Sequence, residues 1–223
     1  MLKQQIIQQI IELGEKYPKL SYYRERGNKF EILGDIELID SDKIDWGSFS
    51  IRIEISNEYP SNIPIVFETK KKIPWKYSRH LNLEGECCLS PEVEEHIILG
   101  RNYTLIDYLE KLVVPFFVSQ RYFELTGNWL NGQYSHNTEG LLEYYKERFQ
   151  TEEIKIIIVS FKVLFGEINL GRNDKCYCNS GKNFKKCHGL ILNDFRKVDK
   201  SLLRKNFEKI SYFEKSPIKG IYI

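Results

Sequence analysis

The five cysteines of this 223-residue chain fall in two groups, each with a histidine nearby. The first group is His80-Leu81-Asn82 followed by Cys87-Cys88, and the second is Cys176, Cys178, Cys187 and His188. A cysteine thiolate is both a good nucleophile and a good leaving group, so a cysteine can accept an activated acyl group and pass it on. Three thiols and an imidazole at short spacing are instead a ligand set for tetrahedral zinc. The two groups therefore predict two different chemistries.

The segments that precede the first group predict a helix followed by an antiparallel sheet. Residues 2–16 place their apolar side chains on one helical face. Residues 29–55 predict antiparallel strands with turns at Gly34 and at residues 40–43, and a further strand is predicted at residues 65–67. We expect this sheet to carry the loop that contains the first cysteine pair.

Helices are predicted after the first group. Thr104 and Asp107 form the pattern of a capping box, which opens a helix that continues to about residue 123, with an interruption at Pro115. Residues 154–170 alternate weakly between apolar and polar types and predict one or two strands. The segment 190–223 predicts a basic, helical tail. A sheet followed by helices is an α+β arrangement.

The motifs around the first group resemble those of ubiquitin-conjugating enzymes, and most of all those of divergent bacterial members. The corresponding segments are Tyr59-Pro60-x-x-x-Pro64-x-Val66-Phe67, which is similar to the family's Tyr-Pro-x-x-x-Pro-x-Val-x-Phe, then His-x-Asn at residues 80–82 and Gly-x-x-Cys-Leu at residues 85–89. Leu81 stands where the family has proline. The resemblance covers residues 1–150 and implies a catalytic domain with an antiparallel sheet of about four strands, flanked by helices.

The resemblance assigns a role to each residue of the first group. Cys88 corresponds to the cysteine that carries the acyl group, and Asn82 to the residue that stabilises the oxyanion of the tetrahedral intermediate. His80 is expected to fix the loop. Cys87 takes the position of an apolar residue; because neighbouring side chains in an extended segment point to opposite faces, we expect Cys87 buried and Cys88 exposed. His136 is a possible accessory residue, with a hydrogen-bonded structural role as the alternative.

Residues 171–189 resemble the SEC-C motif. The matching residues run from Arg172-Asn173-Asp174 through the four ligands Cys176, Cys178, Cys187 and His188. The set predicts one structural Zn²⁺, because four protein ligands leave no position open for water. Asn179 stands where the family usually has glycine, which predicts a left-handed backbone conformation that asparagine tolerates. Residues 151–170 are predicted to connect this module to the catalytic domain.

The composition bears on the compartment and on the partners. The N-terminal segment is polar, and no apolar run approaches the ~20 residues that span a membrane, so we expect a cytoplasmic protein without a membrane partner. In that reducing environment, clustered thiols indicate metal binding or catalysis rather than disulfides. Residues 1–150 are net acidic and residues 151–223 net basic, but few aromatic side chains accompany the basic ones, which argues against nucleic-acid binding.

Two functional hypotheses follow, of which the first is the leading one and the second its alternative. In the first, the protein is an enzyme that carries a protein C-terminus as a thioester on Cys88 and passes it to an amine. The family resemblance places such proteins in CBASS-type antiphage systems, which implies a cGAS/DncV-like nucleotidyltransferase as the partner and a possible separate activating enzyme. In the second, the same fold is a catalytically inactive binding module, and the zinc motif docks a protein or, as a weaker alternative, nucleic acid.

Overall fold

The structure, a computed structural model, describes residues 3–20, 22–39, 45–130 and 132–215. It divides into two compact units, Met1–Gly132 and Gln133–Ile223. The boundary predicted at residue 150 therefore lies at residue 132, because the aromatic rings of Tyr145 and Phe149 pack against Phe161 and Phe195 of the second unit. Three predicted features lie outside the described residues. They are the start of the first helix at Leu2, the turn at residues 40–43 and the end of the tail at residues 216–223.

The first unit is an α+β unit with helices around one sheet. It begins with α1 (Lys3–Lys16) and continues into β1 (Tyr22–Arg26), β2 (Lys29–Ile39), β3 (Asp45–Ser56) and β4 (Ile65–Glu68). The strands follow one another in the order β1-β2-β3-β4, and each neighbouring pair is antiparallel. The helices α2 (Glu92–Leu99), α3 (Leu105–Tyr108) and α4 (Val114–Thr126) come after the sheet. The predicted antiparallel sheet and its flanking helices are confirmed.

The core of this unit follows from the two predicted periodicities. Along β3 every second side chain is buried, and along α1 the buried residues are three or four positions apart. The residues concerned are Phe49, Ile51, Ile53 and Ile55 of β3 and Ile6, Ile10 and Leu13 of α1. Each such side chain contributes about 1.5–3 kcal/mol relative to an exposed position. One face of the sheet therefore packs against helices. The segment that contains Cys87 and Cys88 is attached to this packed sheet.

The turn predicted at Gly34 is wrong, because Gly34 lies inside β2 and pairs with Ile51 of β3. A Cβ atom at this position would lie 1.8 Å from the carbonyl oxygen of Lys19. Glycine is needed here for the close approach of a second backbone segment rather than for a change of chain direction.

The helix predicted after Thr104 is present but divided. Thr104 and Asp107 form the predicted capping box, since the threonine hydroxyl accepts from the Asp107 N–H and the Asp107 carboxylate accepts from the Thr104 N–H. A π-helical turn, Leu109–Val113, then separates α3 from α4, and Pro115 stands in the first turn of α4. The missing N–H of proline is tolerated there, which explains why the α-helix restarts at this point.

The second unit is helical and consists of α5 (Asn137–Phe149), α6 (Ile154–Phe165), α7 (His188–Phe195) and α8 (Lys200–Lys215). The strands predicted at residues 154–170 are therefore wrong. The buried residues Ile157, Phe161 and Leu164 are three or four positions apart, and the other isoleucines of this segment hide that helical period behind a weak alternation. Among the described residues, no helix is both long and apolar enough to cross a membrane.

Candidate functional site

In the first unit, Cys88 lies at the end of a short hairpin attached to the edge of the sheet. Leu81 pairs with Cys87 in an antiparallel bridge, and the N–H of Cys88 donates to the carbonyl of His80 at 2.8 Å. On the other side, the N–H of Cys87 donates to the carbonyl of Val66 in β4 at 2.9 Å. The cysteine pair is thus held by backbone hydrogen bonds on both sides, which fixes the direction of each thiol.

Gly85 allows this hairpin to approach β4. Its φ of +83° lies in the left-handed region, and a Cβ atom there would lie 2.4 Å from the Glu68 carbonyl oxygen and 2.6 Å from the Trp75 ring. The buried Glu68 carboxylate in turn accepts from the indole N–H of Trp75 at 2.7 Å and from the backbone of Lys70 at 3.0 Å. The glycine of the Gly-x-x-Cys motif is therefore required by packing.

The two adjacent cysteines have opposite environments, as predicted. Cys87 is buried and Cys88 is exposed. Burial raises the pKa of the Cys87 thiol far above its usual range, so this thiol stays protonated. Partial desolvation also raises the pKa of Cys88, and the charges of Glu95 and Glu86 raise it further. Cys88 is thus the accessible thiol of the pair, and it is predominantly protonated at neutral pH.

Asn82 builds the turn of the hairpin. Its side-chain oxygen accepts from the backbone N–H groups of Glu84 at 2.9 Å and Glu86 at 3.0 Å, and its amide nitrogen donates to the Glu86 carboxylate at 2.9 Å. In this hairpin Leu81 and Cys87 are buried, His80 and Asn82 are partly exposed, and Cys88 is exposed.

His80 fixes the loop through its backbone and its ring. Its φ of +55° is left-handed, and its ring packs edge-on against Trp129 with 5.1 Å between the ring centroids. The neighbouring Arg79 is buried and donates to the Gln120 side chain at 3.0 Å, while Gln120 donates back to the Arg79 carbonyl at 2.7 Å. This reciprocal pair anchors the His80 segment to α4. No local sequence pattern predicts this contact between Arg79 and Gln120, which are 41 positions apart.

Glu95 influences Cys88, but it was not identified as a site residue from the sequence. It lies on α2, and the net effect of burial, opposed by a hydrogen bond from the Ser90 backbone, raises its pKa to about 7. Three acidic residues in the first turn of α2 are typical of a helix N-terminus, so no pattern in the sequence singles out Glu95, which raises the pKa of Cys88.

His136, the predicted accessory residue, belongs to the second unit. It is exposed and occupies the N-cap position of α5 without a side-chain capping bond. Its accessory role stays a prediction.

In the second unit, the four predicted metal ligands converge. The side-chain ligand atoms of Cys176, Cys178, Cys187 and His188 all lie within 4.8 Å of one another. The Nδ1 atom of His188 lies 3.4 Å from the Cys176 sulfur and 3.5 Å from the Cys187 sulfur, and the sulfurs of Cys178 and Cys187 are 3.5 Å apart. A tetrahedral zinc with Zn–S bonds of about 2.3 Å separates two sulfurs by about 3.8 Å. The residues fit a metal ion such as zinc.

The backbone conformation of the loop around these ligands brings the ligands together. The N–H of Cys176 donates to the carbonyl of Lys182 at 2.9 Å, and this closes the turn that carries Cys178. Asn179 has a φ of +57°, which confirms the predicted left-handed conformation. A Cβ atom on Gly189 would lie 2.7 Å from the carbonyl oxygen of Phe184, so glycine is needed directly after the histidine.

Aromatic and hydroxyl groups attach the ligand loop to the helices of its unit. The hydroxyls of Tyr177 and Ser160, the latter on α6, are 2.6 Å apart, and the Tyr177 ring packs on His188 with 4.9 Å between centroids. His188 is the first residue of α7 and is buried. Burial lowers its pKa, against a smaller opposing effect of the Phe149 backbone, so the imidazole is neutral and suited to metal binding at neutral pH.

One comparison with known proteins falls in the second unit. The family described as "SEC-C motif" matches residues 172–190. A stretch of 40 residues, 18% of this chain, is 50% identical to the protein translocase subunit SecA of Pseudomonas fluorescens (strain Pf0-1). That stretch is 4% of the length of SecA, so the likeness is confined to a small module. No solved structure matches the chain.

Proposed function

We propose that the protein is a ubiquitin-conjugating-like acyltransferase that carries a protein C-terminus as a thioester on Cys88 and passes it to an amine. The observation that carries this proposal is the opposite burial of two adjacent thiols on a hairpin held by backbone hydrogen bonds. The arrangement presents one sulfur to a partner and hides the other. The His-x-Asn and Gly-x-x-Cys-Leu motifs lie in this hairpin, and the third motif that resembles the conjugating family ends in β4, to which the hairpin is hydrogen-bonded.

In this proposal Asn82 stabilises the oxyanion. A carboxamide nitrogen carries two hydrogens, and the bond from Asn82 to Glu86 uses one of them. We assign the other to the oxyanion that forms when an amine attacks the thioester, a role worth about 10²–10³ in rate in other acyl-transfer enzymes. The bonds that Asn82 makes within the turn fix the orientation of its amide.

The partner follows from the family resemblance. We propose that the C-terminus belongs to a cGAS/DncV-like nucleotidyltransferase of a CBASS-type antiviral system, and that a separate activating enzyme supplies it in activated form. A cytoplasmic location is consistent with a function that depends on a reduced thiol.

We propose a structural zinc ion for the second unit. The three thiolates and the imidazole would hold it with no position left for water, and the ion would supply the cross-link that a loop with so small a core lacks. The residues around it orient the ligands, since Ser180 lies 3.5 Å from the Cys187 sulfur and Tyr177 packs on the imidazole. The module thereby has a rigid surface for docking a protein.

One observation favours the alternative of an inactive binding module. The raised pKa of Cys88 leaves little thiolate at neutral pH, and a thiol is a poor nucleophile. In that function the hairpin would recognise a partner without forming a covalent bond.

The experiment combines purified protein, the nucleotidyltransferase, the activating enzyme and ATP, with adducts resolved without reductant. The acyl-carrier function predicts an adduct that reductant removes, that Cys88→Ala abolishes, that Cys88→Ser converts into a reductant-resistant ester, and that Cys87→Ala retains. An adduct that persists in Cys88→Ala and vanishes in Cys87→Ala would make Cys87 the carrier. No adduct, together with binding that tolerates both changes, would establish the binding module.

A further inference from the structure

Glu68, the last residue of β4, carries a carboxylate that is fully buried. Its Oε1 atom accepts from the backbone N–H of Lys70 at 3.0 Å and of Lys72 at 3.3 Å, and its Oε2 atom accepts from the indole N–H of Trp75 at 2.7 Å. All three partners are donors, which suits a carboxylate, whose two oxygens only accept. All three also belong to the loop that follows β4, so this one side chain holds the loop at residues 70–75.

The burial of this carboxylate is informative because an apolar side chain at the end of β4 would avoid the cost of removing a charge from water. A buried polar group whose hydrogen bonds are all made selects one arrangement of the chain around it, since other arrangements leave donors or acceptors unpaired. At Glu68 the arrangement selected is that of the loop. Ile73, which is buried in the core, and the Lys72 amine, which donates to the Ser48 carbonyl at 2.6 Å, fix the same loop.

The loop in turn packs on the hairpin that carries Cys88. The Trp75 ring lies so close to Gly85 that a Cβ atom on this glycine would be 2.6 Å from the ring. On the backbone side, the N–H of Glu68 donates to the carbonyl of Gly85 at 2.8 Å, two residues before the buried Cys87. Glu68 therefore holds Gly85 twice, through its own N–H and through the indole that its carboxylate orients.

We propose that Glu68 is a positioning residue for the acyl-transfer reaction and acts through Trp75 on the cysteine hairpin. The contact keeps the hairpin in the arrangement in which Cys87 is buried and Cys88 is exposed. This inference rests on the proposed acyl-carrier function and adds to it the residue that keeps the carrier thiol in place. Glu68 touches no reacting atom, and its effect is on the position of the hairpin.

The first arm of the test measures how well Cys87 is protected. Iodoacetamide is added to the folded full chain in the Cys88→Ala background, and peptide mapping gives the alkylation rate of Cys87. Glu68→Gln keeps the volume of the side chain but turns one acceptor into a donor that faces another N–H. We expect it to speed the alkylation of Cys87 about 10-fold, because unpaired buried donors favour opening of the loop and the hairpin.

The second arm measures acyl transfer with both cysteines present, from a peptidyl-glycine thioester to free lysine. Glu68→Gln should lower kcat by about 10-fold or more and leave KM for lysine within about 2-fold, because a displaced hairpin misplaces the reacting thioester without weakening the binding of the amine. The rate at which iodoacetamide modifies Cys88 should also stay within about 2-fold, since this thiol is already exposed.

Two control variants separate the proposed contact from a general loss of stability. Trp75→Phe keeps an aromatic ring over Gly85 and removes the indole N–H. It should itself speed Cys87 alkylation about 3-fold or more, and in this background Glu68→Gln should add less than about 3-fold, because the carboxylate has no indole to orient. It also provides the readout if Glu68→Gln alone does not fold. Ile10→Val removes a methyl group from the core at α1 and should leave Cys87 protected.

The outcomes distinguish the role of Glu68 from the acyl-carrier function. Faster Cys87 alkylation with a lower kcat in Glu68→Gln, and neither change in Ile10→Val, supports the positioning role. Unchanged alkylation, unchanged kcat, an equal increase in Ile10→Val, or a full increase in the Trp75→Phe background overturns it. A wild type that is never acylated overturns the acyl-carrier function, and the alkylation of Cys87 then still decides whether Glu68 orders the hairpin.

Discussion

The two cysteine groups show how differently the same side chain is used in the two units. In the first unit two neighbouring thiols are directed to opposite sides of a hairpin, one buried and one exposed. In the second unit three thiols and an imidazole converge within 4.8 Å. Spacing along the chain is short in both groups. What separates them is the backbone, which is extended at Cys87-Cys88 and turns back on itself through the left-handed Asn179 at the cluster.

This difference decides how far each chemistry is predictable. Metal ligation depends on atoms brought together by a local loop, so ligand type and spacing are enough to identify it. The reactivity of Cys88 depends on burial, on Glu95 and on Glu86, and of the two carboxylates only Glu86 lies within the motif of Cys88. Four predictions test this difference between the two cysteine groups and their units.

The largest effect is expected at the cluster. Cys178→Ser should abolish stoichiometric zinc and remove amide protection around residues 171–190, because metal binding supplies about 10–16 kcal/mol in small zinc modules. The first unit should keep its protection, since its core does not depend on the metal. Elemental analysis and hydrogen exchange measure both, and Cys88→Ala, which should retain zinc, is the matched control. Zinc retained in Cys178→Ser would remove this residue from the ligand set.

The second effect concerns the base of the hairpin. Gly85→Ala should destabilise the first unit by about 3 kcal/mol or more, because the added methyl meets Glu68 and Trp75 and the φ is positive. Gly127→Ala is the control, since Gly127 also has a positive φ but its Cβ would meet no atom within 4 Å. It should cost about 1 kcal/mol. Urea denaturation compares them, and equal costs would show that the close packing at Gly85 contributes nothing.

The third effect compares the adjacent thiols. Cys87→Ala should lower the free energy of unfolding by about 1 kcal/mol, because a small buried side chain is lost. Cys88→Ala should change it by less than about 0.5 kcal/mol, as for other exposed positions. The same denaturation experiment measures the two variants. A larger loss in Cys88→Ala than in Cys87→Ala would reverse the assignment of buried and exposed thiols.

The smallest effect is a pH dependence. The folded-state pKa of Glu95 is about 7 against an ordinary value of about 4.3, so the folded protein binds this proton more tightly than the unfolded chain. The resulting stabilisation is present below about pH 4.3 and is lost as the pH rises through 7. Glu95→Gln should therefore melt at the same temperature as the wild type at pH 4 and at a higher temperature at pH 8. A constant difference across this range would show that Glu95 titrates normally.

Much of the fold was predictable because its signals are local. The alternation along β3 requires only the sequence from Phe49 to Ile55, and the capping box only Thr104 to Asp107. The same holds for Asn179, whose left-handed conformation was inferred from its place in a motif. In each case the physical cause lies within a few residues of its effect.

The features of the fold that the sequence analysis did not predict depend on contacts between residues far apart in sequence. Gly34 sits in a strand interior because the backbone of Lys19 approaches it, and α6 is a helix because its aromatic face meets α5, α7 and α8. The pairing of Arg79 with Gln120 likewise depends on a contact that no local pattern contains. Side-chain environment, which sets reactivity, was thus the part that the sequence could not specify alone.

The most direct test of Cys88 as acyl carrier is the intact mass of the protein after exposure to a peptidyl-glycine thioester, followed by peptide mapping. We predict a single acyl group on Cys88 that hydroxylamine removes, that is absent in Cys88→Ala and present in Cys87→Ala, and that forms only on the folded protein. Acylation of Cys87, or equal acylation of the folded and the denatured protein at Cys88, would contradict a site built for this chemistry.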